Sequence, residues 1–256
     1  MNLVNQLSDL SAVLSSENLQ PKHIGRLLVS IHGSFVYQSA WASSLLKKKS
    51  NKCNKISDVI DLSFTIFKKF PYNLVGWGIT PDQVAEELHE LLKIIKEKKP
   101  NSILEIGTSL GGTLFSILKV SGAQTKMISV DRRYDLWRIP YYRSFASQNQ
   151  KVTLLRADSH NTSTLNKVRR ILGNTKLDVL FIDADHTYNG VRRDFAMYSG
   201  LVRKGGLVVF HDICKQQRHD VEVDRFWREI KNIYSHYKEI IKNPDQGWAG
   251  IGVLWT

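Results

Sequence analysis

The sequence predicts an α/β fold with a doubly wound, mostly parallel sheet, helices on both faces and an N-terminal helical segment. Three observations carry this prediction. From Thr80 onward, short apolar runs alternate with helical stretches, the pattern of strands buried on both faces of a parallel sheet. One run, Ser102–Ile106, opens directly into the glycine-rich turn Gly107-Thr108-Ser109-Leu110-Gly111-Gly112. Aspartates 131, 158 and 183 each follow a later run, so they collect at the carboxyl edge, where open α/β sheets bind ligands.

The elements follow in order. Leu3, Leu7, Leu10 and Leu14 recur three or four apart and give one apolar helix face. Ile24–Leu46 is the most apolar long stretch. Arg26, His32 and Gln38 interrupt it, so it reads as one or two buried helical segments and not a membrane span. Lys47–Lys55 is polar and basic and reads as a loop. Val59, Leu62, Ile66 and Phe70 form another helix face. Phe70–Trp77 contains Pro71 and Gly76 and reads as a connector, which divides a helical segment (1–78) from the α/β domain (79–256). Thr80-Pro81 reads as the N-cap and first position of a helix running to about Lys99. Strands are expected at Ser102–Ile106, Lys126–Val130, Val152–Arg156, Leu177–Ile182, Gly206–Phe210 and Gly250–Trp255.

Composition bounds the class. The 256 residues are 42% hydrophobic and 23% charged, which fits a globular chain and excludes long disorder. The net charge of +12 favours anionic partners, with Lys47–Lys49 and Lys93–Lys99 as local concentrations. Two cysteines, Cys53 and Cys214, argue against a disulfide framework and for a reducing, cytoplasmic location. The N-terminus lacks the basic segment and apolar core of a signal peptide.

The glycine turn lets backbone approach a ligand, and the helix behind it offers free N–H groups and a positive dipole end. Ser109 stands where a dinucleotide fold would place its second glycine, so a ligand without a pyrophosphate fits better. Asp131 suits the hydroxyls of a ribose, and Asp158-Ser159 lies where an adenine edge would be read. Asp183-Ala184-Asp185-His186 and His211-Asp212 end adjacent strands. Carboxylates and imidazoles converging there suit general-base chemistry or a divalent cation.

Together, Glu105-Ile106-Gly107-Thr108 with Gly111-Gly112-Thr113, FIDADHTYNGVRRDF and GGLVVFHDI resemble class I S-adenosylmethionine-dependent methyltransferases. The similarity is to methyltransferase family 24 and the macrocin-type and cephalosporin-hydroxylase-like group, over about residues 80–256. The resemblance implies a Rossmann-like domain that methylates a hydroxyl on a sugar or other small molecule. It implies cofactor contacts from Glu105, Gly107, Thr108, Ser109, Gly111, Asp131, Asp158, Ser159 and Asp183. His186 and Asp185 are each base candidates, one as base and the other as its orienter. By resemblance Asp183 and Asp212 are implied as ligands for magnesium or another divalent metal, with His211 beside them as a third candidate donor. Related macrocin-type enzymes carry an acidic residue where this chain has His211, which turns the donor set from magnesium towards manganese, iron or no metal. Arg192, Arg193 and Asp194 read as surface ion pairs. Trp41, Tyr72, Trp77 and Trp248 are candidate pocket walls, and residues 137–142 a candidate cover for the cofactor. An RNA acceptor, a non-catalytic relative of the fold, a metal-dependent hydrolase or hydroxylase built on Asp183, His211 and Asp212, and a homo-oligomer contact through the N-terminal segment stay open.

Overall fold

The computed structural model describes residues 21–67, 77–215 and 217–256, with side chains from residue 36. The predicted Leu3–Leu14 helix face, Phe70 and Tyr72 lie outside the described residues.

Helix α1, Pro21–Ser50, is one continuous helix that absorbs the first four residues of the predicted Lys47–Lys55 loop. Its last turn holds Lys47, Lys48 and Lys49, where positive charge meets the negative end of the helix dipole. Helix α2, Ile56–Thr65, begins where the Asp58 carboxylate accepts the backbone N–H groups of Asn54 (2.8 Å) and Lys55 (2.9 Å). Helix α3, Ala85–Lys98, starts four residues later than Thr80-Pro81 predicted. The α/β alternation follows: β1 Ser102–Ile106, α4 Gly112–Val120, β2 Lys126–Asp131, α5 Ile139–Arg143, β3 Lys151–Arg156, α6 Thr162–Leu172, β4 Leu177–Ile182, α7 Tyr188–Tyr198, β5 Val202–His211, α8 Val223–Ile230, β6 Tyr237–Ile240 and β7 Ile251–Trp255.

The seven strands lie in the order β3-β2-β1-β4-β5-β7-β6. β7 runs antiparallel to both its neighbours; the other pairings are parallel. Strand β6 escapes the sequence pattern because Tyr237, Lys238 and Glu239 are exposed and only Ile240 is buried. After β1 the chain fills one side of the sheet, then crosses to β4 on the other. That reversal opens a crevice between the carboxyl ends of β1 and β4, the binding position of open α/β sheets.

Two apolar layers sandwich the sheet. On one face, Leu88, Leu91, Phe115, Val179 and Val209 pack together with Ala42 and Leu46 of α1 and Val59 and Ile60 of α2. The N-terminal helices therefore share the core of one sheet face. On the other face lie Leu104, Ile106, Leu165, Val168, Tyr198 and Trp227. Among the described residues no helix is long and apolar enough to cross a membrane. Cys53 is half-buried and Cys214 buried, and the two do not form a disulfide with each other.

Candidate active site

The glycine loop is built against the sheet. Gly107 has φ +93° and Gly111 φ +86°, conformations that side chains disfavour. A Cβ on Gly107 would overlap the backbone carbonyl of Asp183, so β1 and β4 approach here as only glycine permits. A Cβ on Gly112 would overlap the carbonyl of Ile79. That close approach explains the late start of α3. Residues 79–83 are drawn across the N-terminus of α4 as an extended strap, and Pro81 sits in the strap, not at a helix start.

The strap carries two site residues that sequence reading missed. Gln83 is buried; its Nε2 donates to Asp183 Oδ2 (2.9 Å), and its Oε1 accepts the Thr113 hydroxyl (2.5 Å). Asp82 accepts the Ser109 hydroxyl at 2.8 Å. No local pattern marks either residue, because each is recruited by a fold contact. Pro81, Asp82, Gln83, Thr108, Ser109 and Asp183 line a small cleft that opens to solvent.

Asp131 ends β2 at the rim of the loop. Its Oδ2 accepts the N–H groups of Thr108 (2.9 Å) and Ser109 (3.1 Å), and its Oδ1 accepts that of Arg133 (2.7 Å). A carboxylate offers about four lone-pair sites, so one remains for a ribose hydroxyl. Asp158 Oδ1 accepts the His160 N–H (2.9 Å), and Ser159 is buried with its carbonyl accepting the Tyr198 hydroxyl (2.7 Å). This places the pair at the end of β3, one strand beyond Asp131.

Glu105 lies beneath the loop, fully buried, in a cluster with Ser129, Thr108 and Tyr134. Ser129 donates to Glu105 Oε2 (2.6 Å) and meets Tyr134 Oη at 2.5 Å, while Oε1 has no hydrogen-bond partner. Burial pushes the Glu105 carboxyl up to about 8, with the charges of Asp183 and Asp131 adding to the shift. Glu105 is thus a neutral support of the loop near neutral pH and is not exposed to ligand. Between the ordinary 4.5 and about 8, the folded chain holds a proton that the unfolded chain has lost, so stability falls as pH rises through that window. In Glu105→Gln this decline, about 1 kcal/mol per pH unit, should vanish. Urea unfolding at pH 5 and pH 8 measures it; an unchanged pH dependence in the variant would refute the buried neutral acid.

Residues 137–142 do not cover the cleft; they buttress the loop from behind. Tyr141 and Tyr142 are buried, Tyr142 Oη donates to the Ser109 carbonyl (3.2 Å), and Arg138 Nη2 donates to the carbonyls of Gly78 (2.6 Å) and Leu110 (3.2 Å). Trp77 is 1% exposed and packs edge-on against Trp137 and Tyr141, so it is core and not a pocket wall. Trp248 is exposed, and the next residue, Ala249, donates its N–H to Asp212 Oδ1 (3.2 Å).

Beyond Asp183 lies a second small cleft, lined by Asp183, Asp185, His186 and His211 with Val191 and Val223. Parallel pairing of β4 with β5 brings their ends together. His186 Nδ1 lies 2.6 Å from Asp212 Oδ2, and its Nε2 faces Asp183 Oδ1 at 4.0 Å. The hydrogen bond to Asp212 raises the His186 pKa against the opposing effect of burial. Asp212 itself is held low: burial opposes its charge, but hydrogen bonds from both imidazoles overcome that.

Two sequence expectations change here. The partner of His186 is Asp212, not Asp185. Asp185 Oδ1 accepts the N–H (3.1 Å) and hydroxyl (2.8 Å) of Thr187, whose Oγ1 in turn caps Gly190, so Asp185 serves the start of α7. The donor atoms that converge are those of Asp183, His186 and Asp212, all within 4.8 Å of one another, in place of a set containing His211. His211 is buried, with Nδ1 bridging Asp183 Oδ1 (3.2 Å) and Asp212 Oδ1 (3.5 Å); its Nε2 has no partner. Burial disfavours its charge, but the two carboxylates push its pKa up to about 10, so it neutralises the acid pair from within. Asp194 is also not a surface ion-pair residue. It shares the inner face of α7 with Val191 and Tyr198 and is fully buried, 3.4 Å from His160 Nε2.

A glycine loop at the sheet reversal, an acidic rim and a His–Asp pair across Asp183 belong to a Rossmann-like fold with its site at the carboxyl edge of the sheet. Residues 104–213 match the family model described as a methyltransferase domain. An uncharacterized protein of Acanthamoeba polyphaga mimivirus is 31% identical over 127 residues, 45% of this chain; the match spans about half (53%) of that relative's length. The O-methyltransferase TomG from Streptomyces achromogenes, involved in tomaymycin synthesis and solved with SAM, superposes with TM-score 0.54 at 17% identity, covering 80% of this chain and 91% of TomG. An O-methyltransferase from Bacillus cereus solved with SAH gives 0.53 at 16% identity, covering 83% and 97%. At these identities the two structures share the fold.

Proposed function

We propose that the protein transfers a methyl group from S-adenosylmethionine to a hydroxyl oxygen of a sugar or other small molecule. One observation carries this reading: Asp183 is the common wall of two clefts, one formed by the glycine loop and strap, the other lined by His186, whose Nδ1 is held by Asp212 behind it. The first suits the cofactor. Backbone N–H groups at the start of α4, Asp131 and the Gln83–Asp183 pair supply its polar contacts. When bound, the cofactor supplies an electrophilic methyl on a positively charged sulfur, which the acidic rim favours.

The second cleft suits the acceptor. With Nδ1–H donated to Asp212, His186 Nε2 is left as a proton acceptor, and Asp212 stabilises the imidazolium that forms. Asp183, His186 and Asp212 would hold a divalent cation only with His186 acting as a ligand in place of the base, and their mixed oxygen and nitrogen donors suit manganese, iron or zinc better than magnesium. Such an ion would lower the pKa of the acceptor hydroxyl.

Calorimetric titration tests the reading. S-adenosylmethionine and its demethylated product should each bind in the micromolar range. Asp131→Ala should weaken both about 10-fold or more, by removal of a charge-assisted contact. Absence of heat with either ligand would end the proposal. Manganese titrated into the same protein should bind, and Asp183→Asn should abolish that signal; identical heats in the two proteins would remove the metal from it.

A further inference from the structure

The basic charge of the chain is concentrated on one edge. Residues 132–176 contain ten arginines and lysines against two aspartates, a net of +8 in a chain whose total is +12; of the ten, Arg138 is buried beneath the glycine loop and Lys176 donates to the Gly200 carbonyl, away from this edge. This stretch runs from the end of β2 through β3, the edge strand of the sheet, and over α6. Arg132 and Arg133 are exposed just after β2. Lys151 and Arg156 are exposed at the two ends of β3, and Lys167, Arg169 and Arg170 on the outer face of α6. Register places Arg156 beside Asp131 and Lys151 beside Lys126, a second exposed cation.

The contrast with the opposite edge is informative. There Arg203, Arg225, Arg228, Lys231 and Lys242 are each neutralised by a carboxylate, and, among the described residues, Lys204 and Lys238 are exposed without an ion pair. Among the described residues, none of the seven exposed cations named on the β3 edge and α6 makes an ion pair. Leaving this many like charges unpaired side by side is unfavourable for the isolated chain and becomes favourable when a polyanion covers them.

We propose that this edge is a docking surface for RNA, its cations contacting the phosphate backbone. Six residues of β3 span about 20 Å at ~3.3 Å each, a length suited to several successive phosphates and not to one small anion. Arginine predominates, and its planar fork suits bidentate phosphate contacts. The exposed polar residues between the cations, Gln148, Asn149, Asn161, Thr162 and Asn166, supply donors and acceptors for ribose 2′-hydroxyls, which DNA lacks. A lipid surface fits less well. The apolar stripe of α6, Leu165, Val168 and Leu172, is buried against the sheet, so the helix has no face to insert. Arg132, Arg133 and Arg156 lie at the carboxyl ends of their strands, so RNA held here reaches the rim of the active site.

The test is fluorescence anisotropy of the full chain with a labelled 20-nucleotide single-stranded RNA, without S-adenosylmethionine, so that it stands or falls separately from methyl transfer. Affinity should fall steeply with salt, with a slope of about −0.7 per neutralised phosphate. The triple variant Lys151→Ala/Arg156→Ala/Arg170→Ala should bind about 10-fold or more weakly, with the slope reduced by about 2. A control of equal charge change, Lys93→Ala/Arg225→Ala/Lys242→Ala, should bind within about twofold of the parent. DNA of the same sequence and vesicles of phosphatidylserine should bind more weakly than RNA. Absence of RNA binding at 50 mM salt, equal losses in the two triple variants, or tighter binding of DNA or vesicles would each overturn the proposal.

Discussion

Gly107→Ala should lose about 4 kcal/mol of stability and all measurable heat with S-adenosylmethionine. Two costs add at this position. The backbone stands at φ +93°, where a Cβ is strained, and the new methyl would overlap the carbonyl of Asp183. That carbonyl belongs to β4, whose neighbouring N–H is already committed to the Ile106 carbonyl at 2.8 Å, so the strand has no free direction in which to retreat. The clash is with backbone, and no rotamer change relieves it. For a chain of this length the expected fall in Tm is about 10 °C. Calorimetric unfolding with a cofactor titration of the folded fraction checks both parts. A Tm within 2 °C of the parent would show that β1 and β4 do not approach this closely.

His186→Ala should lower methyl transfer about 10²- to 10³-fold while leaving S-adenosylmethionine affinity within about twofold, the signature of a lost general base. The affinity should hold because His186 lies in the second cleft and not in the one formed by the loop and strap. Asp212→Asn should cost a similar factor by withdrawing the group that fixes the imidazole, and the double variant should cost little more than either single one, because the two act as a unit. Radiolabelled methyl transfer to a hydroxyl acceptor recovered by screening glycosides and polyols provides the measurement. Additive losses in the double variant would show that the pair, 2.6 Å apart in the fold, does not work as one device.

Much of the framework was legible because it is written locally. The strands Ser102–Ile106 and Leu177–Ile182 have the predicted boundaries, since a short apolar run between turn residues is a strand signal needing no distant partner. The strand–glycine–helix turn was equally plain. β6 was not, because an edge strand with three exposed residues carries no burial pattern. Pro81 misled for a related reason: its dihedral suits a helix start and an extended strap alike, and only the packing of Ile79 against Gly112 selects the strap.

The sequence by itself determined the order of strands and helices, the glycine loop and the acidic residues at the carboxyl edge, because periodicity and turn chemistry act within a few residues. The tertiary structure alone decided which of those residues meet. It joined His186 to Asp212 across 26 positions and Gln83 to Asp183 across 100. It also turned Asp185 into the support of a helix cap, Thr187, and Glu105 into a buried, neutral support. The physical reason is that hydrogen bonds of this length depend on strand order and register, and setting β4 between β1 and β5 is a long-range choice that no local pattern encodes.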